Sequence, residues 1–358
     1  MSYDPRLQPS GRRARGGRTT RTQRKSAGRI VTMVILTIVG FMVSGGTGAA
    51  VYFLPAIRTA FNATGKQAST QGGIGSSTLS ATPNSTVPPP NAPFNVLLLG
   101  SDNDNKFTSG VYLTQAMILV RVDPATSHVT MFSISRDLYV PLYKGPNDPM
   151  GITDKIDKAY MYGGVQGAIS TVENDFNVHV NYYVWIGLKG LVNLINKMGN
   201  ADVYVTNSVL DDYYPNDLGT GNPYQTLRVA LLPGPQELDG YHAMEYVRSR
   251  HGDIRGDLGR SMRQQQVLVA LKNKEKLLSI TDIPALSEAI SGQVSTDMQL
   301  TFMASLRSLA HTVTPADTTH IVLFPPYATG QVIGSQDVLV PNWSLILPYV
   351  HTYFPAAS

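Results

Sequence analysis

Five arginines lie close together between residues 245 and 266, in the stretch EYVRSRHGDIRGDLGRSMRQQQ. These arginines are Arg248, Arg250, Arg255, Arg260 and Arg263, and only three acids accompany them. Because like charges repel, a fold that concentrates cations in this way usually has an anion to bind. Guanidinium groups match phosphate oxygens in pairs of parallel hydrogen bonds, so a phosphate is the expected anion.

The spacing of the arginines predicts two kinds of local structure. Arg248 and Arg250 are two residues apart, so in an extended chain their side chains point to the same side. Arg260, Arg263 and Gln264 are three and four residues apart and share one face of a helix. An extended pair followed by a helical set would close around one compact polyanion. The alternative is that the arginines pair with acids on a solvated surface.

Polar residues at two predicted strand ends belong with this cluster. The apolar run FNVLLLG, residues 94–100, predicts a buried strand that delivers Asp102 at its carboxyl end. The run HVTMFSI, residues 128–134, predicts a strand that presents Arg136 and Asp137. Ligand sites of α/β folds lie at such strand ends, so we expect Arg136 to complete the anion site.

Predicted strands and helices alternate along the chain from residue 94 to about residue 278. The further predicted elements are strands at 116–123 and 201–205 and helices at 163–176, at 184–199 and from about Leu258 to Leu278. This order predicts an α/β or α+β fold in which helices cover the faces of a sheet. Since no second linker interrupts residues 94–355, we expect one large domain.

Composition excludes several classes of function. The 358 residues are 42% hydrophobic and 15% charged, as in a folded protein. The absence of cysteine excludes disulfides, thiol catalysis and cysteine-bound metals. The sequence has no metal-binding histidine spacing, no nucleophile elbow and no P-loop.

The basic character of the chain comes from its first 29 residues. That segment carries nine of the 29 Lys and Arg residues and one of the 25 acids, so the remainder is mildly acidic. Residues 30–54 follow without a charge and are long enough to span a bilayer. The arginines before this span predict a cytoplasmic N-terminus and an external remainder. A cleaved signal peptide is the alternative.

These patterns divide the chain into four parts. The expected parts are a basic cytoplasmic segment (1–29), a transmembrane helix (30–54), a flexible linker rich in Ser, Thr, Gly and Pro (55–93) and an extracellular domain (94–355). The predicted location is therefore the cell membrane, with a single span.

Several stretches resemble the LytR-CpsA-Psr family of bacterial envelope proteins. They are NVLLLGSD, MILVRVDPATSHVTMFSISRDLYVPL, KIDKAYMYGG, NYYVWIGLKGLVNLINKMGNADVYV, and LPGPQELDGYHAMEYVRSRHGD followed by GDLGRSMRQQQVL. The resemblance implies an α/β domain of the α-β-α type around a mainly antiparallel central sheet. It also implies a transferase that moves a glycopolymer, such as teichoic acid or capsular polysaccharide, from a polyprenyl pyrophosphate carrier to peptidoglycan.

The resemblance also implies roles for individual residues. Arg136 matches the arginine of the family motif S-I-P-R-D, with Ser135 in place of the proline, and Asp102 matches the aspartate at the first strand end. The residues expected to bind the pyrophosphate are Arg136, Arg248, Arg250, Arg260, Arg263 and Gln264. The residues expected to take part in catalysis are Asp102 and Arg136.

One motif departs from the family. Members commonly carry R-[ST]-D-T before the second strand, whose Asp helps to bind Mg²⁺ and whose Arg contacts phosphate. This sequence reads LTQA, so Leu113 and Gln115 occupy those positions. A neutral Gln is a much weaker Mg²⁺ ligand than a carboxylate. The expected Mg²⁺ ligands are therefore Asp102 and Asp104; otherwise the protein binds its ligand without turnover.

The expected reaction is a phosphoryl transfer outside the cell, in which the arginines neutralise the pyrophosphate. Asp102 is expected to act either as a metal ligand or as the general base for a peptidoglycan hydroxyl. Two other functions are possible: a non-catalytic, membrane-tethered binder of lipid-linked or wall glycan, and a nucleic-acid-binding regulator that uses residues 1–29. The acidic remainder of the chain argues against nucleic acid. The expected partners are thus the lipid-linked glycopolymer, peptidoglycan and the membrane.

Overall fold

The computed structural model describes most of the region predicted to be the extracellular domain. The described residues are 92–102, 113–218, 222, 224–250, 253, 255–275, 288–290, 293–298, 302, 306, 309 and 317–357. The predicted cytoplasmic segment, the predicted transmembrane helix, the linker up to residue 91 and Asp104 lie outside this set. Within the set, no helix is both long and apolar enough to cross a membrane.

The described residues form the following elements. The strands are β1 (Phe94–Ser101), β2 (Thr114–Asp123), β3 (His128–Ile134), β4 (Tyr139–Gly145), β5 (Asp148–Lys155), β6 (Tyr182–Gly187), β7 (Ala201–Val205), β8 (Val209–Pro215), β9 (Thr226–Leu231), β10 (Gly234–Leu238), β11 (Val294–Thr296), β12 (Thr318–Val322), β13 (Ala328–Ile333) and β14 (Gln336–Pro341). The helices are α1 (Lys158–Phe176), α2 (Leu188–Lys197), α3 (Gly240–Arg248), α4 (Gly256–Glu275) and α5 (Trp343–His351).

A central sheet of six described strands has the order β11-β6-β1-β2-β3-β12. The pairs β1–β2, β2–β3 and β6–β11 are antiparallel, and the pairs β1–β6 and β3–β12 are parallel. The sheet is therefore mainly antiparallel, as the family resemblance implies. The described residues also form separate two-stranded ladders, which are β4–β5, β7–β10, β8–β9 and β13–β14.

Successive side chains of the central strands point to opposite faces, and each face has its own apolar core. On one face Val96 packs in a core that takes in apolar residues of α2, α3 and α4. On the other face Leu97 and Phe132 pack in a core with residues of α1 and α5. Burial on both faces explains the continuous apolar runs of these strands. The layers are helix, sheet and helix, which confirms the mixed α/β expectation.

The predicted helix at 184–199 is wrong in its first residues. The chain is extended through Gly187, and α2 begins only at Leu188. Val184 and Trp185 lie beside Leu98 and Leu99 of β1 in the register of the sheet. Because this short apolar run gains its partners from strands distant in the sequence, periodicity alone does not distinguish it from a helix.

The arginine-rich stretch joins two helices. Asp239 caps α3, since its Oδ1 accepts the peptide N–H of His242 at 2.9 Å. Arg248 is the last residue of α3, and α4 begins at Gly256. The predicted extended pair of Arg248 and Arg250 is therefore wrong, because Arg248 belongs to a helix. The predicted helix that carries Arg260, Arg263 and Gln264 is confirmed.

Candidate functional site

Three segments meet at one end of the central sheet. Strands β1 and β2 are antiparallel, and their register places Ser101 opposite Thr114. In the same way, Met117 near the start of β2 lies opposite Ile134 at the end of β3. Asp102, Gln115 and Arg136 therefore come from neighbouring strand ends, although 34 positions separate the first from the last.

A chain of hydrogen bonds joins these three side chains. The Gln115 amide donates from Nε2 to Asp102 Oδ2 at 2.6 Å. The other carboxylate oxygen of Asp102, Oδ1, accepts the peptide N–H of Leu113 at 3.0 Å. On the opposite side of the amide, Arg136 Nη1 donates to Gln115 Oε1. Gln115 thus connects a carboxylate to a guanidinium group.

Arg136 is held from its other side by a buried acid. Its Nη2 lies 3.1 Å from Asp157 Oδ2, and the Asp157 side chain is 1% exposed. Burial raises the pKa of the Asp157 carboxyl to about 6, although the charge of Arg136 acts in the opposite direction. The second oxygen of Asp157, Oδ1, is buried and has no hydrogen-bond partner. The Arg136 side chain keeps 14% of its surface exposed.

The Asp137 carboxylate pairs with two further cations beside Arg136. Its Oδ1 accepts from Lys155 Nζ at 2.6 Å, and its Oδ2 accepts from Arg250 Nη2 at 3.2 Å. Burial raises the pKa of the Asp137 carboxyl, but Lys155, Arg136 and Arg250 outweigh it, and the pKa lies below its usual value. Of these cations Arg250 is the most accessible, with 44% of its side chain exposed.

Helix α4 reaches this cluster through Gln264. The Gln264 amide donates to the carbonyl oxygens of Gln115, at 3.4 Å, and of Val247, at 3.5 Å. One side chain therefore ties the start of β2 to the last turn of α3. We call the set of Asp102, Gln115, Arg136, Asp137, Lys155, Asp157, Arg250 and Gln264 the sheet-end cluster.

Arg248 lies outside the sheet-end cluster in its contacts. Both of its terminal nitrogens donate to the Asp217 carboxylate at 2.8 Å, and Nη1 also donates to the Tyr214 hydroxyl at 3.2 Å. Its guanidinium carbon lies 5.4 Å from the centre of the Tyr214 ring. Burial lowers the pKa of Arg248, but the hydrogen bond to Asp217 outweighs it and holds the pKa above its usual range. Arg248 is therefore committed to a nearly buried ion pair.

Arg263 is likewise turned away from the sheet end. Its Nε donates to the carbonyl of Tyr246 at 2.6 Å, its Nη2 donates to the carbonyl of Ser249, and its Nη1 pairs with Asp253. These contacts hold the end of α3, Ser249 and Asp253 against α4. Gly259 of α4 leaves room for Asp253, because an added Cβ would overlap that carboxylate. Arg260 is buried on the same helix.

The structure thus divides the predicted site residues into two groups. Asp102, Arg136, Arg250 and Gln264 come together at the sheet end, whereas Arg248 and Arg263 make their contacts elsewhere. The predicted pairing of arginines with acids is real for Arg248 and Arg263, but these pairs are buried rather than solvated. Whether each predicted residue binds pyrophosphate stays a prediction.

Sequence reasoning did not select Lys155 and Asp157 as site residues. Both lie in KIDKAYMYGG, one of the stretches that carry the family resemblance, so a signal was present. The position of Lys155 follows from the pairing of β4 with β5, which brings it opposite Tyr139 and next to Asp137. Asp157 lies two residues beyond β5, where its peptide N–H donates to the carbonyl of Arg136 at 3.2 Å.

The described side chains at the sheet end do not by themselves provide the donor set that Mg²⁺ prefers. In the part of the chain that the structure describes, no group of three acidic or histidine side chains could hold a metal ion. Asp102 is the only carboxylate that contacts Gln115 there, and each of its oxygens already accepts a hydrogen bond. The Gln115 carbonyl oxygen accepts from Arg136. Asp104 lies outside the described residues, so its predicted part as a ligand stays a prediction.

Sequence comparison provides the family. The model of the LytR_cpsA_psr family matches residues 58–328. The chain belongs to the LytR-CpsA-Psr family. It is 31% identical over 217 residues to the polyisoprenyl-teichoic acid–peptidoglycan teichoic acid transferase TagU of Enterococcus faecalis, a match that covers 60% of this chain and 64% of that protein.

Two further proteins that are similar to this chain bear on its fold and function. Biofilm regulatory protein A of Streptococcus mutans is 32% identical over 212 residues, which cover 58% of this chain and 50% of that protein. The chain thus spans between half and two thirds of the length of these curated relatives. The crystal structure of Bacillus subtilis TagV superposes with a TM-score of 0.58 and 26% identity, covering 73% of this chain and 97% of that structure.

Proposed function

We propose that this protein is a membrane-anchored transferase, which moves a glycopolymer from a polyprenyl pyrophosphate carrier to peptidoglycan. The observation that carries the proposal is the sheet-end cluster, where Arg136, Lys155 and Arg250 lie around the Asp137 carboxylate within a LytR-CpsA-Psr domain. The name of the Enterococcus faecalis relative, a polyisoprenyl-teichoic acid–peptidoglycan teichoic acid transferase, supports the same substrate class.

The charges of the sheet-end cluster suit an anionic ligand that competes with the acids of the cluster for its cations. Three cations, Arg136, Lys155 and Arg250, face three acids, Asp102, Asp137 and Asp157. A pyrophosphate would take guanidinium hydrogen bonds from Arg250 first, because Arg250 is the most exposed and Asp137 would keep Lys155 as its partner.

Arg136 would be the second anchor for the pyrophosphate. It sits between Gln115 and Asp157, so the orientation of its guanidinium group is fixed before a ligand arrives. Such preorganised donors stabilise charge that develops in a transition state. Direct contacts from Arg248, Arg260 and Arg263 stay predictions; the described contacts of Arg248 and Arg263 support instead a role in positioning α3 and α4.

The proposed reaction is a substitution at phosphorus. A hydroxyl oxygen of peptidoglycan attacks the sugar-linked phosphorus, and the bond from that phosphorus to the bridging oxygen breaks. Polyprenyl monophosphate leaves with the bond electrons, and a phosphodiester joins the glycopolymer to peptidoglycan. We propose that Asp102, held by Gln115 and the Leu113 peptide N–H, accepts the hydroxyl proton.

The proposed anchor is residues 30–54, with residues 1–29 in the cytoplasm and the domain outside the cell. The uncharged span and the basic segment before it support this topology. Protease added to intact cells should then degrade the domain and spare residues 1–29. Protection of the domain would contradict the topology.

A transfer assay on the full-length chain in vesicles tests the function. Labelled polyprenyl-pyrophosphate glycopolymer and peptidoglycan are supplied, and released polyprenyl phosphate is measured together with the label on peptidoglycan. We expect both products in equal amount with the wild-type chain, and neither with Arg136→Ala. Donor that is recovered intact would contradict the transferase proposal.

A second candidate function is a non-catalytic binder of lipid-linked or wall glycan. The observation that favours it is Gln115, which replaces a carboxylate usual in the family and engages Asp102. The name of the Streptococcus mutans relative, a regulatory protein, is compatible with it. In the transfer assay a binder would retain the labelled lipid on the vesicle-bound protein without releasing polyprenyl phosphate.

A further inference from the structure

We infer that the Gln115 side chain takes the place of a divalent cation at the sheet end, and that the sheet-end cluster assembles without one. The amide links the carboxylate of Asp102 to the guanidinium group of Arg136. A divalent cation would supply positive charge beside Asp102, whereas here Arg136, connected through the Gln115 amide, supplies it.

The orientation of the Gln115 amide is determined by its partners. A carboxylate accepts hydrogen bonds and a guanidinium group only donates them. The amide nitrogen must therefore face Asp102 and the amide oxygen must face Arg136, as observed. A flipped amide would lose both contacts.

The backbone around Gln115 is also held in place. The peptide N–H and the hydroxyl of the preceding residue, Thr114, both donate to the carbonyl of Asp157 at 3.3 Å. The carbonyl of Gln115 itself accepts from the Gln264 amide. The bridge therefore lies on a frame that does not depend on a metal ion for its shape.

The charge of the site changes with the residue at position 115. A carboxylate in this position would stand against Asp102 and raise a repulsion that a divalent cation relieves. The neutral amide removes that repulsion and leaves Asp102 with two hydrogen-bond donors instead. This reasoning concerns cation binding alone, so it does not rest on the lipid being the substrate.

The experiment is a titration of the full-length chain in detergent with Mn²⁺, which accepts the oxygen ligands that Mg²⁺ prefers. Electron paramagnetic resonance measures the free ion. When Mn²⁺ and protein are present at equal concentration, we expect the ion to stay free in the presence of the wild-type chain. We expect the Gln115→Asp variant to bind one equivalent of Mn²⁺ at least tenfold more tightly than the wild-type chain does. Gln115→Glu, which keeps the size of the side chain, should also gain affinity and covers the case in which Gln115→Asp folds poorly.

Two further variants locate the gained site. Adding Asp102→Asn to Gln115→Asp should abolish the gain, whereas adding Asp104→Asn should leave it. Three results would overturn the inference: one equivalent of Mn²⁺ on the wild-type chain that Asp102→Asn removes, no gain in either position-115 variant, or a gain that survives Asp102→Asn. These outcomes do not depend on the result of the transfer assay. The inference about the cation and the proposal of a transferase can therefore be tested separately.

Discussion

Arg248 and Arg250 are two residues apart, yet they serve different parts of the molecule. Arg248 ends α3 and is clamped by Asp217, with 11% of its side chain exposed. Arg250 lies beyond the helix end, shares Asp137 with Lys155 and has 44% of its side chain exposed. Arg263 is buried like Arg248. Arg136 is intermediate, because it pairs with buried Asp157 but keeps 14% of its side chain exposed, and its Nε makes no hydrogen bond.

The difference shows that arginine supply alone does not define an anion site. Where one buried carboxylate takes both terminal nitrogens of a guanidinium group, as Asp217 does for Arg248, removing the arginine leaves a buried charge without compensation. A guanidinium group that shares its acid with a lysine keeps donors for a ligand. The buried pairs should therefore govern stability, and the sheet-end cluster should govern binding.

The largest effect is expected when the buried pair is broken. Arg248→Ala leaves Asp217 buried without a counter-ion and should lower the free energy of unfolding by about 3–5 kcal/mol. Urea denaturation followed by tryptophan fluorescence measures it, since both tryptophans lie in the domain. The matched control is Arg228→Ala, whose ion pair with Asp212 is largely exposed and should contribute less than about 1 kcal/mol. Equal losses of unfolding free energy in Arg248→Ala and Arg228→Ala would contradict the distinction between buried and exposed ion pairs.

The next effect is a pH dependence of stability that comes from Asp157. Burial raises its pKa to about 6 from 3.8, so the folded state holds this proton more tightly than the unfolded state. The resulting stabilisation, about 3 kcal/mol, is complete below pH 3.8 and is lost as the pH rises through 6. Asp157→Asn should remove this part of the slope between pH 4 and 6. Identical slopes for the wild-type and variant chains would show that Asp157 is not protonated preferentially in the folded state.

Binding is expected to depend on Arg136. Arg136→Ala should weaken the affinity for a short-chain polyprenyl pyrophosphate by about 1.5–3 kcal/mol, roughly ten- to over a hundredfold. Adding Asp157→Asn should restore stability, because no buried acid is then left unpaired, but it should not restore affinity. Recovery of affinity in the double variant would assign Arg136 a purely structural role.

The smallest effect concerns the shape of the cation at position 250. Arg250→Lys keeps the charge but cannot offer two parallel donors to a phosphate. We expect its affinity for the same lipid to fall between those of the wild-type chain and Arg250→Ala. Calorimetry at one salt concentration measures the three values, and full retention of affinity by the lysine variant would show that only charge matters.

Much of the sheet end could be predicted from the sequence. The apolar runs of β1 and β3 place Asp102 and Arg136 at strand ends, and helical spacing places Arg263 and Gln264 on α4. Such features depend on neighbours within a few residues. The family resemblance then predicted the order of the layers, in which α1 and α4 lie on opposite faces of the sheet.

The partners of the arginines could not be predicted, because they come from distant segments. Asp217 follows β8 and lies 31 residues before Arg248, and Asp157 lies 21 residues after Arg136. The bridge through Gln115 depends on the register between β1 and β2, which no local pattern specifies. For the same reason the local sequence does not predict that α3 extends to Arg248, since packing against α2 and α4 stabilises α3.

The most direct test compares Arg250→Ala with Arg255→Ala in binding a short-chain polyprenyl pyrophosphate at one fixed salt concentration. Arg255 is exposed in the same stretch, and its side chain contacts Met262 rather than an acid of the sheet-end cluster. The account predicts that Arg250→Ala loses at least tenfold in affinity with its stability unchanged, and that Arg255→Ala binds like the wild-type chain. Equal affinities for the two variants would contradict an anion site at the sheet end.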